Sequence, residues 1–394
     1  MPTRHFHPDV ANTELWPGPA GYPWAQTGVG LWTREALLRR IGPGRLLCTW
    51  TTGGMTEPWA GNHTMVTASS DDGTTWTTPE ILFAHPTRGL FTTELFVPTA
   101  GEIHAFLQTY DNGCWMSQLQ SYRAISRDGG QTWDGPHTIP GGVQNVWTNR
   151  GIVHSSGRWI IPVSWIELIG EEWAPPSMGR PPLTGRVGRR ELRQEELPYG
   201  AGDSKLYHAG NAWCERNHRY ACGVLISEDQ GATFRLHGYL NGGKRGLLME
   251  PRIVERADGS LAMLIRSQYD GWLWQSASTD AGATWTDPIR SEIPNPAAKV
   301  CLLRARDGRI FLLHNPTVHA GAIMGGRNPL CLWISDDDMR TWSVKVDLVR
   351  DDNPAVSLNY PDGFIDEERG ELRFVWEDMY AVFAMRVPLG IGTP

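Results

Sequence analysis

Apolar and polar residues alternate with a period of two along most of this chain, in short runs separated by turn residues. Strand-like runs stand at 45–50, 63–68, 102–110, 120–126, 221–226, 261–266, 273–277, 310–314, 330–334 and 371–376, of which 261–266, 310–314 and 330–334 are apolar at nearly every position. A period of two places successive side chains on opposite faces of a pleated ribbon, so the runs predict β-strands. Between them stand Gly42-Pro43-Gly44, Ala257-Asp258-Gly259-Ser260 and Arg306-Asp307-Gly308-Arg309. These supply the fixed or positive φ angles that tight turns need. The segment 189–196 has helix-forming composition but no apolar stripe, so no helix with a buried face is expected there.

An eight-residue pattern, Ser-x-Asp-x-Gly-x-Thr-Trp, follows the strand-like runs at 69–76, 126–133, 227–234, 278–285 and 335–342. Its clearest copy is Ser278-Thr279-Asp280-Ala281-Gly282-Ala283-Thr284-Trp285, while Phe234 replaces the tryptophan in one copy and Met339 the glycine in another. The Asp carboxylate can accept N–H groups from the residues after it, and the glycine supplies a positive φ. The aromatic ring is then expected to fold under the turn against its own hairpin. Each copy is a turn joining two neighbouring strands. A calcium loop is the sharper alternative, but each copy offers few acidic ligands.

The copies start 57, 101, 51 and 57 residues apart. A period of about 40–60 residues in a chain of strands marks a radial array. The expected fold is therefore all-β, a single six-bladed β-propeller over residues 1–394 with four antiparallel strands per blade. First strands are expected near 30–34, 92–98, 146–153, 248–255, 298–305 and 357–365. No eight-residue box follows the sixth unit, so its fourth strand is expected from the N-terminal segment, whose residues 1–27 wrap the bottom or close the ring and leave no free sheet edge. An insertion at about 170–217 delays the third box. It reads equally as a solvated loop and as a lid or subunit contact.

Composition adds exclusions. A formal charge of −7 and the absence of Lys/Arg runs argue against a nucleic-acid partner. No apolar stretch approaches the ~18 residues of a membrane span, and the start MPTRHFHPDV lacks a signal-peptide core. A cytoplasmic protein with no membrane partner is the expectation. Cys48, Cys222, Cys301 and Cys331 lie in apolar runs, and no C-x-x-C pair occurs among these, Cys114 and Cys214. They read as buried thiols. The spacing of His104, His154, His208, His314 and His319 suggests no metal site, and no cofactor is expected. Of the 19 tryptophans only four belong to boxes. Indoles suit sugar faces, although packing between blades accounts for most of them.

The boxes resemble the Asp-box, or bacterial neuraminidase, repeats of the sialidase superfamily, and the resemblance covers essentially the whole chain. Several positions outside the boxes are also similar. Leu248-Met249-Glu250-Pro251-Arg252 through Arg266 resembles the segment bringing a site glutamate and a triad arginine together, which implies Glu250 and Arg266. The run 311–317 followed by Arg327-Asn328-Pro329 resembles the segment of the next triad arginine, Arg327. Ser357-Leu358-Asn359-Tyr360-Pro361-Asp362 resembles the segment of the nucleophilic tyrosine, Tyr360. Arg34 stands where the first triad arginine would be. Three arginines form a permanently charged clamp for a sugar carboxylate. A tyrosine that passes its proton to a glutamate can attack an anomeric carbon beside that carboxylate without charge repulsion.

Two departures stand out. Glu35-Ala36 replaces the family's Ile-Pro after the first arginine, and the family's acidic aspartate has no counterpart. That place holds Gly61-Asn62-His63, with Glu57 shortly before it, so His63 and Glu57 are the candidates for proton donor. Asn149, Arg150 and Trp147 at the start of blade three are candidates for binding sugar hydroxyls. Glu94 and Glu167 stand at the ends of inner strands. The resemblance implies an exo-acting glycoside hydrolase that takes a terminal, acidic sugar from a glycan. Three alternatives stay open: a two-carboxylate exo-glycosidase for a neutral sugar such as arabinose, with Glu250 paired to Glu94 or Glu167; a polysaccharide lyase acting on uronates; and a carbohydrate-binding propeller without catalysis.

Overall fold

The computed structural model describes residues 3–18, 33–53, 61–86, 88–110, 119–168, 218–243, 247–319, 325–378 and 380–392. The expected insertion at 170–217, Glu57, His208, Cys114, Cys214 and residues 19–32 lie outside them. Six antiparallel sheets form from the described residues, each a blade of a β-propeller, with no α-helix among them. Blade one runs outward from the axis as Arg34–Gly42, Arg45–Thr52, His63–Ser69 and Glu80–Phe83. The inner strands of blades two, four, five and six are Gly89–Thr99, Leu248–Glu255, Cys301–Arg304 and Asn359–Asp366. Inner strands of neighbouring blades approach one another around the axis.

Most predicted strands recur with the same limits, among them Glu102–Tyr110, Gln120–Ser126, Leu248–Glu255 and Ile310–His314. Three inner strands differ, and that of blade one, expected near 30–34, runs Arg34–Gly42. The run 146–153 divides into Trp147–Thr148 and Ile152–Val153, both paired with Trp159–Leu168. Between them Gly151 lies so close to Ile161 that a Cβ there would fall 2.2 Å from Cδ1. In blade five the strand begins at Cys301 rather than 298. There the Asn295 side chain bonds both the N–H and the carbonyl of Ala298 and diverts that backbone from pairing.

Ala11–Trp16 pairs with Val382–Pro388 and completes blade six, as expected. Arg4–Phe6 goes further than the expectation and adds a fifth strand to blade five, on Val344–Asp351. The N-terminal segment therefore edges two blades, and two outer strands that would otherwise offer unpaired N–H groups are covered.

The core is divided in the same radial way. Each pair of adjacent blades encloses its own apolar wedge: Leu37, Leu47, Leu95 and Leu107 between blades one and two, for example, and Phe311, Leu332, Phe374 and Trp376 between five and six. A sheet buried on both faces in this way needs apolar side chains in both phases of the period. Trp16 sits in the wedge between blades six and one, fully buried and 5.5 Å from Trp50.

The boxes join third to fourth strands. In the first box, Asp71 accepts the Ser69 hydroxyl at 2.8 Å, the Thr75 N–H at 2.8 Å and the Thr75 hydroxyl at 2.6 Å. Asp72 and Gly73 both take positive φ, 57° and 80°. The Trp76 indole donates to the Gly73 carbonyl at 3.2 Å. Its ring does more than cover its own hairpin, because it packs on the wedge shared with the preceding blade. Trp133, Phe234, Trp285 and Trp342 do the same in turn. Cys48, Cys222, Cys301 and Cys331 are buried free thiols.

Candidate active site

Three inner strands carry the same irregularity near their starts. Pairing skips one residue between Arg34 and Leu37 in blade one, between Met249 and Arg252 in blade four, and between Asn359 and Asp362 in blade six. At each skip a non-glycine residue adopts the left-handed conformation: Glu35 at φ 58°, Glu250 at 53° and Tyr360 at 53°. Such a conformation is costly outside glycine, and a β-bulge re-aims the side chain it carries. The Glu250 bulge is anchored from blade three, where the Ser164 hydroxyl accepts the Glu250 N–H at 2.9 Å.

The bulges bring together Tyr360, Glu250 and Arg266, whose buried side chains share hydrogen bonds. Arg266 Nη1 donates to Glu250 Oε2 at 2.7 Å and to Tyr360 Oη at 3.0 Å. Tyr360 Oη donates to Glu250 Oε1 at 3.5 Å. Gln268 Oε1 holds the other arm, Arg266 Nη2, at 2.9 Å. Arg34 and Arg327 each lie 5.3 Å from the centre of the Tyr360 ring, and Lys299 lies 5.5 Å from it. Four cations thus surround one phenol.

The two flanking arginines are held differently. Arg34 Nη1 donates to the fully buried Glu377 carboxylate at 3.0 Å. Arg327 is bound by neutral oxygens, Asn359 Oδ1 at 2.8 Å and the Ala297 carbonyl at 2.6 Å. Burial pushes the Arg327 guanidinium down to about 10, against the attraction of Tyr360. It is still a cation at neutral pH. Lys299 pairs with the Glu35 carboxylate.

The two carboxyls facing Lys299 are driven apart. Burial acts to raise Glu250, but Arg266, Lys299 and Arg252 outweigh it and hold the group below the ordinary carboxylate value. Burial raises Glu35 above that value, Lys299 opposes, and the negative field of Glu250 adds to the rise. Glu250 is therefore an ionised carboxylate at neutral pH, able to accept the Tyr360 proton, while Arg266 stabilises the charge left on the oxygen.

A second charged group lies on the same inner strands. Arg39 donates to Asp362 and, at 2.6 Å, to Glu94 Oε2. Arg150 Nη1 and Arg252 Nη2 stand 3.6 Å and 4.0 Å from Asp362 oxygens.

The other sequence candidates have contacts of their own. His63 is buried at the start of the third strand of blade one, its Nδ1 2.9 Å from the Gly61 carbonyl oxygen. Trp147 is buried in an apolar cluster with Phe91, Tyr110, Ile166 and Tyr220, so packing accounts for it. Asn149 is buried at the break in blade three, its N–H bonded to the Pro162 carbonyl at 2.7 Å. Glu167 accepts from the Trp165 indole and the Tyr239 hydroxyl. Lys299, Glu377, Arg252 and Asp362 were not singled out by sequence reasoning. A signal existed for two of them: Glu250-Pro251-Arg252 and Tyr360-Pro361-Asp362 share one phase, two residues beyond the left-handed position. Among the described residues no cluster of three or more His, Cys, Asp or Glu is arranged to hold a metal ion, and no helix is long and apolar enough to cross a membrane.

A search among curated protein sequences finds no match. Solved structures do match. A *Dyadobacter fermentans* protein of unknown function aligns over 96% of this chain and 99% of its own, with TM-score 0.67 and 15% identity. The Hadza microbial sialidase Hz136 aligns over 91% of this chain and 66% of its own, at 0.66 and 15%. *Trypanosoma rangeli* sialidase in complex with sialic acid aligns over 97% and 59%, at 0.62 and 14%. This chain thus spans less than two thirds of the length of either sialidase. The likeness is one of fold, a sialidase-type propeller. The model of the BNR repeat-like domain matches residues 44–178 and 198–373, most of the sequence, and the chain belongs to that family, within the sialidase/BNR-repeat superfamily.

Proposed function

We propose that the protein is an exo-acting glycoside hydrolase releasing a terminal acidic sugar. The observation that carries this reading is the hydrogen-bonded group Tyr360–Glu250–Arg266 with Arg34 and Arg327 beside it. Arg327, bound only to neutral oxygens by its Nη atoms, is the cation most available to a sugar carboxylate. Arg266 and Arg34 add to the clamp. The Tyr360 proton passes to Glu250 Oε1 as Oη bonds to the anomeric carbon and the bond to the leaving oxygen breaks. A proton donor, for which His63 and Glu57 are the candidates, completes the leaving alcohol. Water then attacks the anomeric carbon of the aryl glycoside formed on Tyr360, giving up a proton to the group that served as donor, while Glu250 returns its proton to the departing Tyr360 Oη.

The two-carboxylate alternative is less well supported. Glu94 is occupied by Arg39 and the Gly151 N–H, and Glu167 by Trp165 and Tyr239. The test is a panel of methylumbelliferyl sialosides, uronides and neutral glycosides with the protein and its Tyr360→Phe variant. Turnover of an acidic glycoside that the variant loses supports the proposal. Full activity in the variant overturns the tyrosine mechanism. An ultraviolet-absorbing unsaturated product identifies a lyase, and binding without turnover identifies a lectin-like propeller.

A further inference from the structure

Beneath the Tyr360 group, side chains from five inner strands converge around Asp362. They are Arg39 of blade one, Glu94 of blade two, Arg150 of blade three, Arg252 of blade four and Asp362 itself of blade six. Arg39 is fully engaged: Nε bonds the Leu95 carbonyl, Nη1 the Leu38 carbonyl and Asp362, and Nη2 Glu94.

The other two arginines are not. Arg252, 1% exposed, spends Nε on the Val300 carbonyl at 2.8 Å, and neither Nη1 nor Nη2 has a hydrogen-bond partner among the described residues. Arg150 Nη1 and Asn149 Nδ2 are likewise buried without one. The separations of 3.6 Å and 4.0 Å to Asp362 are ion-pair distances too long for hydrogen bonds. Donors left unmet inside a protein are expensive, more so when charged.

Charge points the same way. Counting Glu250 and Glu35, which also act on Arg252, together with their partners Arg266 and Lys299, five cations face four carboxylates, which leaves one positive charge in excess. Burial and the neighbouring Arg39 both lower the Arg150 guanidinium, the expected sign of an uncompensated cation. A water between Arg252 and Asp362 could meet hydrogen bonds but would leave that charge unbalanced. A monovalent anion meets both demands of the donors at once, and the buried Asp362 Oδ2, also without a hydrogen-bond partner among the described residues, keeps Arg252 Nη2 at 4.0 Å as its nearest cation.

We propose that Arg150 and Arg252, with the Asn149 amide, form a site for a small monovalent anion of the halide class on the propeller axis. Asp362 already occupies part of the arginine cluster, so the affinity is expected in the millimolar range rather than tighter. Arg252 follows Glu250 by two residues and Asp362 follows Tyr360 by two. An anion here therefore steadies the strands that carry both bulges.

The test uses the full chain in acetate buffer free of halide, titrated with sodium bromide against sodium acetate at matched ionic strength. Bromide is expected to raise the unfolding midpoint saturably, by about 2–4 °C at high occupancy. Crystals soaked in bromide should show an anomalous peak within hydrogen-bonding reach of Arg150 and Arg252. Arg150→Gln is the chosen variant because its side chain is partly exposed, 17%, and its loss leaves the Arg39 contacts intact. It should weaken the bromide response at least tenfold. Bromide peaks only at the surface, or an equal response in Arg150→Gln, would overturn the proposal in favour of bound water. Neither readout needs turnover, so the outcome is independent of the glycosidase reading.

Discussion

Tyr360 Oη lies 3.5 Å from Glu250 Oε1, although 110 residues and the whole of blade five separate the two in sequence. Both sit at one-residue bulges, both at φ 53°. A regular inner strand would direct these side chains into the wedge between blades or straight across the axis. The left-handed residue turns each toward the other, and Arg266 closes the triangle.

Removing the Tyr360 hydroxyl should cost activity far more than stability. Tyr360→Phe leaves the Arg266–Glu250 bond at 2.7 Å in place, so the loss of stability is expected below about 1.5 kcal/mol. Turnover of the acidic glycoside should fall by about 10²-fold or more. Thermal melts beside initial rates check both halves.

Arg327→Met separates binding from folding in the opposite sense. A buried cation with no carboxylate partner of its own among the described residues is replaced by an apolar chain of similar length, so the relief of burying a charge offsets the loss of the Asn359 and Ala297 hydrogen bonds and stability should change by less than about 2 kcal/mol. Affinity for a sugar carboxylate should drop about 10-fold to 100-fold, since a charged hydrogen bond contributes about 1.5–3 kcal/mol. Calorimetric titration with the free sugar acid measures it.

The Glu35–Lys299 pair should behave as a unit. Glu35→Gln leaves a 1%-exposed ammonium without its carboxylate, at a cost of about 3–5 kcal/mol. Adding Lys299→Met to Glu35→Gln should restore part of that loss. Urea unfolding of the two single variants and the double variant closes the cycle, and additive losses would show that the pair is not coupled.

Acid should unfold the protein in two stages. His314 is fully buried, and burial lowers it from 6.5 to about 3. The unfolded chain binds this proton first, so stability falls as pH drops from about 6.5 towards 3. Asp71, Asp229, Asp280 and Asp337 are held at about 2 against an ordinary 3.8, chiefly by hydrogen bonds from the box threonine side chain and N–H. Their contribution is present above 3.8 and is lost as pH falls from there to about 2. His314→Phe should flatten only the upper stage, read by tryptophan fluorescence across pH.

Trp16→Ala tests ring closure. The indole is fully buried against Trp50 in the wedge between blades six and one. The substitution should cost about 3–5 kcal/mol. A change confined to local exposure, with the midpoint unmoved, would mean that the N-terminal strand adds little to the closed ring.

The period-two runs and the spacing of the boxes made the propeller legible from sequence, because both reflect short-range chemistry: strand alternation and a self-contained turn. The boxes also set the phase of each blade, and the resemblance of the flanking segments to those of the sialidase superfamily pointed to Glu250, Arg266, Arg327 and Tyr360. What sequence could not supply was long-range pairing. Glu35 read only as a departure from a family pattern, yet its carboxylate crosses from blade one to Lys299 of blade five. Trp147 read with Asn149 and Arg150 as a candidate for binding sugar, and its place in a cluster with Tyr220 and Phe91 could not be seen from sequence. The extra strand Arg4–Phe6 escaped notice because three residues are too few to show a period.

The strand Ala11–Trp16 has a further meaning for how the molecule is made. During synthesis it emerges long before its partner Val382–Pro388. Until then blade six lacks its outer strand, the wedge around Trp16 is unfilled, and the bulge carrying Tyr360 has no completed sheet behind it. A truncated translation product would therefore hold most of the boxes and none of the assembled site. Closure by strands so far apart in sequence makes a completed blade six a condition of chemistry, so that products stopping short of it are inert and, with an open edge, easily recognised for disposal.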